Sequence, residues 1–117
     1  MHSEVKKIEL PFQGETLSIA SEKIIYVESN EHRVIFYVLD NSGTIHEYSM
    51  YDQLKRVQEK LEPVGFLRIH QSYLINKEYL KSVRRYKAEL EFEISLNISK
   101  KYYKEINSIY IKMLEEA

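Results

Sequence analysis

The chain has 117 residues, of which 44% are apolar and 30% are charged, and its formal net charge is −1. This length predicts one compact domain over residues 1–117 with a single core, and the composition excludes an intrinsically disordered chain. The lack of cysteine excludes disulfides and thiolate metal ligands. Because the sequence has neither a long apolar run nor a signal peptide, we expect no membrane partner and a cytoplasmic protein.

The first half of the chain shows the alternation of apolar and polar residues that is typical of β-strands. The predicted strands are, in chain order, Lys6 to Phe12, Thr16 to Ala20, Ile24 to Glu28, Arg33 to Leu39 and Thr44 to Ser49. Gly14 marks a turn between the first two strands, and the sequence DNSG at 40–43 marks another turn. Together these segments predict an antiparallel meander.

The second half begins with a helical pattern and then returns to strands. From Tyr51 to Leu61 the apolar residues recur at spacings of three and four, which predicts a short helix. Extended segments follow at Phe66 to Ile75, Leu80 to Tyr86, Leu90 to Ile94 and Leu96 to Ile98. Ser99 can cap a final helix that has one apolar face, formed by Ile106, Ile109, Tyr110 and Met113. We therefore predict a mainly β fold with elongated antiparallel sheets, one short central helix and one C-terminal helix.

Positive charge is concentrated in the second half of the chain. Between Phe66 and Lys104 there are nine basic and four acidic residues, a surplus of five positive charges. Such a surplus can attract a polyanion even when the total charge is near zero. The alternative is an uneven but merely solvated surface.

Residues typical of catalysis do not form a convincing set. The four histidines are scattered without metal-ligand spacing. His70 and Ser72 could share one strand face, but a nucleophile also needs an orienting acid and an oxyanion hole. With only three glycines, the chain has no phosphate-binding loop. We therefore expect no enzymatic activity, no catalytic residues, no metal and no cofactor.

The most specific signal is the sequence FLRIHQSYLIN at 66–76. It resembles the signature of the LytTR family, whose pattern is roughly FxRxHxSyxvN. The matching residues are Phe66, Arg68, His70, Ser72, Tyr73, Ile75 and Asn76. IIYVES before EHRV, a LxxVxxxL helix and LNISKKY occur in the family order. The resemblance covers about Ile8 to Lys104.

The resemblance implies both a fold and a function. LytTR domains are DNA-binding output domains of bacterial two-component response regulators, with a β-β-β sandwich fold. Loops between their strands, rather than a recognition helix, enter the major groove at promoter direct repeats. We therefore expect double-stranded promoter DNA as the partner, with possible self-association on paired sites. We expect no receiver domain in this chain, which would then be either an excised carboxy-terminal domain or a stand-alone regulator.

The resemblance also implies which positions read bases, and the polar residues near them are candidates for phosphate contacts or for support of the turn. Base contacts are expected from His32, Gln71 and Lys100. Contacts to the DNA backbone are expected from Arg33, Lys55, Ser72, Arg85, Lys101 and Lys104. Support of the recognition turn is expected from Arg68, His70 and Asn76.

Each of these roles has a simpler alternative. His32 could be a solvated loop residue, and Lys100 could be an ordinary charged start of the last helix. Arg68 and His70 could contact DNA instead of supporting the turn. For the whole chain, the alternative is a β-rich protein-interaction or ligand-sensing module with an incidental basic face.

Overall fold

The computed structural model describes residues 6–117, which form ten strands and two α-helices. The strands are β1 (Lys7–Phe12), β2 (Glu15–Ala20), β3 (Ile24–Asn30), β4 (Arg33–Leu39), β5 (Ile45–Tyr51), β6 (Phe66–His70), β7 (Tyr73–Asn76), β8 (Leu80–Arg84), β9 (Lys87–Leu90) and β10 (Ile94–Asn97). The helices are α1 (Leu54–Leu61) and α2 (Lys100–Glu116). The predicted mainly β class with two helices is confirmed.

The strands form three antiparallel sheets. The central sheet has five strands in the order β5-β4-β3-β7-β6, the hairpin β1–β2 forms a second sheet, and β10-β9-β8 form a third. The predicted meander is confirmed only for β3, β4 and β5. After β5 the chain passes through α1 to the opposite side of β3, where Tyr26 pairs with Ile75 of β7.

The buried side chains form two clusters rather than the single core that the length predicts. The hairpin β1–β2 and α1 cover one face of the central sheet, through Leu10 and Leu61. The three-stranded sheet and α2 cover the other face, through Leu90 and Ile106. Two clusters form because the central strands carry apolar residues on both faces, as Leu74 and Ile75 of β7 show.

Three predicted elements differ from the structure in kind or in where they start, beyond small shifts at the ends of other strands. Phe66 to Ile75 is not one extended segment, because a two-residue turn at Gln71 and Ser72 divides it into β6 and β7. The predicted strand Leu90 to Ile94 is wrong: residues 91–93 form a 3-10 turn, in which Phe92 has a positive φ of 65°. The first helix begins at Leu54, since Tyr51 still pairs with Arg33 of β4.

The final helix begins at Lys100, directly after Ser99, as the sequence predicts. Ser99 is the N-cap residue of α2, but its side chain makes no capping hydrogen bond. Ile106 is buried, and Tyr110 and Met113 pack against the same cluster, which confirms three of the four residues predicted for the apolar face. Ile109 is not part of that cluster. Within residues 6–117, neither helix has the length and apolar character needed to cross a membrane.

The central sheet has two ends with different turns. We name the Gln71 end after the β6–β7 turn; it also holds the β3–β4 turn, the end of β5 and the start of α1. We name the Asp40 end after the β4–β5 turn at residues 40–44. The residues predicted to contact bases lie at the Gln71 end or next to it.

Candidate nucleic-acid interface

The β6–β7 turn is held in place by the side chain of Arg68. Its Nε and Nη2 donate to the carbonyl oxygens of His70 and Gln71, at 2.7 and 2.8 Å. Its Nη1 donates to Oε1 of Gln58 in α1, at 2.8 Å. The backbone of the turn is therefore tied to the helix, while the side chain of Gln71 is exposed to solvent.

His70 stabilises the same turn from the other side. Its Nδ1 accepts a hydrogen bond from the backbone N–H of Ser72, at 3.0 Å. Its ring also packs against Tyr73, with 5.1 Å between ring centroids. The hydrogen bonds of Arg68 and His70 therefore involve the backbone of the turn, and both side chains are only partly exposed.

The β3–β4 turn lies directly beside the β6–β7 turn. The backbone N–H of Ser29 donates to the carbonyl oxygen of Ser72, at 2.8 Å. His32 is exposed, and its carbonyl oxygen accepts a hydrogen bond from the N–H of Asp52, at 3.2 Å. This turn is therefore joined both to the Gln71 turn and to the start of α1.

The start of α2 lies on the other side of the Gln71 turn. The N–H of Ser99 donates to the carbonyl oxygen of Ile69, at 2.9 Å. Lys100 and Lys101 follow in the first helical turn, both exposed, and that turn contains no acidic residue. Cations are unfavourable at a helix N-terminus because the helix dipole is positive there. An anion would relieve this repulsion.

The three segments that carry His32, Gln71 and Lys100 therefore form one continuous row. The hydrogen bonds Ser29–Ser72 and Ile69–Ser99 join neighbouring members of the row. The longest dimension of the molecule is 44 Å. One turn of B-DNA is about 34 Å, so the molecule is long enough to span one helical repeat.

The residues expected to contact the DNA backbone lie around this row. Arg33 packs over the ring of Tyr51, with 4.2 Å from Cζ to the centroid, and donates to Oγ of Ser49 at 3.0 Å. Arg85 lies in the β8–β9 turn. The other candidates are Lys55 in the first turn of α1, Ser72 in the β6–β7 turn, and Lys101 and Lys104 on α2. All of these except Ser72 are exposed.

Asn76 is placed differently from the expectation. It lies at the opposite end of β7 from the Gln71 turn, with 2% of its surface exposed. Its Nδ2 donates to the carbonyl oxygen of Ile24 at 2.9 Å, and its Oδ1 accepts from the N–H of Glu78 at 3.0 Å. These contacts stabilise the segments at the Asp40 end and do not touch the turn that Asn76 was expected to support.

Two residues of this region were not predicted from the sequence. Gln58 accepts a hydrogen bond from Arg68. The only signal for this contact is that Gln58 lies four residues after the buried Leu54, and therefore on the same face of α1. Tyr51 is 74% exposed, which is unusual for a large aromatic side chain. Both residues lie within the segment that was predicted to be helical throughout.

A shallow cavity follows the same surface. Its volume is about 520 Å³. It is lined by Ser29, His32, Tyr51, Lys55, Arg68 and Gln71, among others. The part of the chain that the structure describes contains no cluster of three or more potential metal ligands.

Comparison with known proteins links this geometry to a family. The family model described as LytTr DNA-binding domain matches residues 14–111. The sensory transduction protein LytT of Bacillus subtilis is 28% identical over 102 residues, which cover 82% of this chain and 40% of LytT. The transcriptional regulatory protein LytR of Staphylococcus aureus is 40% identical over 43 residues, or 37% of this chain and 18% of LytR. The chain therefore spans less than half the length of either regulator.

A solved structure has a similar fold. It is the LytTr DNA-binding domain of a response regulator from Bacillus cereus, with a TM-score of 0.73. The match covers 88% of this chain and 94% of that domain, at 13% sequence identity. At this identity the similarity is evidence for the fold alone.

Proposed function

Because the chain belongs to the LytTr DNA-binding domain family, we propose that it binds double-stranded promoter DNA sequence-specifically, as the output domain of a bacterial response regulator. The family is a DNA-binding domain and not a class of enzyme. In the proposed complex, the turns at the Gln71 end enter the major groove. This groove is about 12 Å wide and distinguishes all four base pairs through its hydrogen-bonding pattern.

The row of three polar segments is the observation that carries this proposal. Gln71 has an amide donor and an amide acceptor, the pair needed for bidentate recognition of adenine. Lys100 donates to the acceptors of guanine, and His32 reads a base from the neighbouring turn. Because Arg68 fixes the backbone on both sides of Gln71, little conformational entropy is lost when the turn binds.

Phosphate contacts supply most of the affinity in this proposal. They come from the six residues that surround the row: Arg33, Lys55, Ser72, Arg85, Lys101 and Lys104. Such contacts set the register on the duplex without reading its sequence. Arg68 and His70 act indirectly, by holding the turn. Two copies bind paired direct repeats, side by side on the same face of the duplex.

The test has two steps. Bound duplexes are first selected from a random pool, and the affinity for the selected site is then measured as salt is raised. Each phosphate neutralised by Lys or Arg contributes about −0.9 to the slope of log affinity against log salt. The neutral Ser72 does not contribute, so the five cationic residues predict a slope of about −4.5 on a duplex long enough to reach all of them. A failure to enrich any sequence, together with a slope near zero, would favour a β-rich protein-interaction module instead.

A further inference from the structure

The β8–β9 hairpin carries an unusual concentration of positive charge. Between Leu80 and Leu90 there are four basic residues and one acidic residue, a surplus of three. Arg84 and Lys87 are direct cross-strand partners, and Arg85 lies in the turn between them. Like charges directly opposite each other on antiparallel strands destabilise a hairpin. This sequence therefore disfavours the isolated hairpin.

Acidic partners do not compensate for this repulsion. Among residues 6–117, the ion pairs are those of His46 with Asp40 and of Arg56 with Asp52, both outside the hairpin. Glu89, the acid nearest in sequence, accepts a hydrogen bond from Oγ of Ser95 at 3.0 Å. The cations of the hairpin therefore form no ion pair within the described residues, although Glu89 lies on the same face as Lys87.

The turn of the hairpin is also unfavourable for its residues. Arg85 and Tyr86 have positive φ angles of 52° and 63°. A two-residue turn with this backbone strongly prefers Asn-Gly, because side chains with a Cβ are strained at positive φ. The hairpin therefore retains two large side chains at positions where Asn and Gly would give a more stable turn. Backbone strain of this kind is concentrated at functional sites.

The hairpin is fixed next to the row of base-reading segments. The N–H of Ile98 donates to the carbonyl oxygen of Tyr86 at 2.8 Å, one residue before the N-cap of α2. The ring of Tyr86 packs on that of Tyr103 in the first turn of α2, with 4.2 Å between centroids. The hairpin is therefore the next member of the row after the segment that carries Lys100.

From these observations we infer that the β8–β9 hairpin is a separate phosphate-binding element that holds the DNA backbone beyond the base pairs read by the three turns. This inference rests on the proposed function. Arg84 and Lys87 donate together to non-esterified phosphate oxygens, and Arg85 reaches an adjacent phosphate from the tip. The bound phosphates neutralise the repulsion between the two cross-strand cations.

The experiment compares two triple variants of the full chain. The hairpin variant is Arg84→Gln, Arg85→Asn and Lys87→Gln. The control variant is Lys7→Gln, Lys60→Gln and Lys112→Gln, which removes three exposed lysines from other parts of the surface. Both variants have the same net charge, so a difference between them reports the position of the lost charges. Each is tested on the selected site alone and on the site extended by about ten base pairs on either side, one helical turn.

On the extended duplex, we expect the slope of the hairpin variant to be shallower than that of the control by about 0.9 for each lost contact. When salt is lowered tenfold, from 1 M to 0.1 M, the affinity of the hairpin variant should therefore rise roughly eightfold less than that of the control for each lost contact. On the selected site alone, the two variants should bind alike, because that duplex lacks the phosphates assigned to Arg85 and its neighbours. A further variant, Arg84→Lys with Arg85→Lys, keeps the charges and should keep the parental slope.

The melting temperature of the hairpin variant separates a binding role from a structural one. Because the variant removes the repulsion and places Asn at a positive φ, its melting temperature should equal or exceed that of the parent. A parent that binds its site normally, together with equal slopes for both variants on the extended duplex, would overturn the inference but leave the proposed function standing. If the hairpin variant lost as much affinity on the selected site alone as on the extended duplex, the placement of the hairpin beyond that site would be wrong. A parent that binds no duplex would instead remove the proposed function.

Discussion

At the Asp40 end of the central sheet, the turn satisfies its own polar groups, whereas at the Gln71 end a side chain from the preceding strand does so. Oδ1 of Asp40 accepts hydrogen bonds from the N–H groups of Ser42 and Thr44, at 2.8 and 2.9 Å. Oδ2 of Asp40 lies 2.6 Å from Nε2 of His46. At the Gln71 end, Arg68 binds the carbonyl groups, and the side chain of Gln71 takes no part.

This difference separates polar side chains that maintain the fold from those that remain available to a partner. Hydrogen bonding to His46, followed by hydrogen bonds from Ser42 and Thr44, lowers the pKa of Asp40 well below its usual range. The carboxylate of Asp40 is therefore committed to its own turn. At the Gln71 end, the stabilising side chains bind the backbone of the turn, so the side chain of Gln71 remains available for the proposed DNA contact.

The largest effect on stability is expected for Asn76→Ala. The change leaves the carbonyl oxygen of Ile24 and the N–H of Glu78 without their partners, and Asn76 itself is 2% exposed. Each unsatisfied group costs about 1 to 3 kcal/mol, so the loss of both partners should lower the free energy of unfolding by about 2 to 6 kcal/mol. Urea unfolding measures this change.

DNA binding by the same variant tests whether the two ends are independent. At a temperature where the variant remains folded, its ratio of specific to non-specific affinity should equal that of the parent. A loss of this ratio would mean that Asn76 acts on the recognition turn across the length of β7, and that the two ends are coupled.

The next effect is expected for Arg68→Met, which keeps the aliphatic stem but removes three hydrogen bonds. The free energy of unfolding should fall by about 1 to 3 kcal/mol, since hydrogen bonds to charged groups are among the stronger ones. Unlike Asn76→Ala, this change should also lower the affinity for the selected site, because the turn loses its fixed backbone.

A matched control for Arg68 is available at the same end. Arg56 is 73% exposed in its side chain and lies 3.8 Å from Asp52. Exposed pairs of this kind contribute about 0 to 1 kcal/mol, so Arg56→Met should change the stability little. Equal destabilisation by the two substitutions would contradict the role of Arg68 as the brace of the turn.

A third comparison removes one exposed amide from each end. Gln71→Ala should weaken binding to the selected site by about 1 to 3 kcal/mol and leave non-specific affinity nearly unchanged. Asn41→Ala, in the turn at the Asp40 end, should change neither the affinity for the selected site nor the non-specific affinity. Fluorescence anisotropy with selected and scrambled duplexes measures both affinities. An equal loss on the two duplexes would show that Gln71 does not read a base.

Much of the fold and of the candidate site could be predicted from the sequence, because these features depend on local patterns. The alternation of apolar residues gave the strands of the first half, and the spacing of Leu54, Val57 and Leu61 gave the buried face of α1. The motif around His70 marked the segment that forms β6, β7 and the turn between them. These signals lie within short segments of the chain.

The remaining features depend on contacts between segments that are distant in sequence. The pairing of β7 with β3 and the hydrogen bond from Arg68 to Gln58 leave no periodic signal. Asn76 belongs to the same motif as Arg68, yet its contacts reach the segment after β2, more than 50 residues earlier. A shared motif therefore does not reveal that two of its residues, Arg68 and Asn76, stabilise opposite ends of the sheet.

The smallest expected effect concerns the charges on α2. Lys100 lies at the positive end of the helix dipole, so Lys100→Gln should raise the free energy of unfolding by about 0.3 to 1 kcal/mol. The same change should weaken binding to the selected duplex. Lys112→Gln, near the other end of α2, should leave both properties nearly unchanged. If Lys100→Gln raises the free energy of unfolding and also weakens duplex binding, then Lys100 serves to bind an anion, since the fold alone is more stable without it.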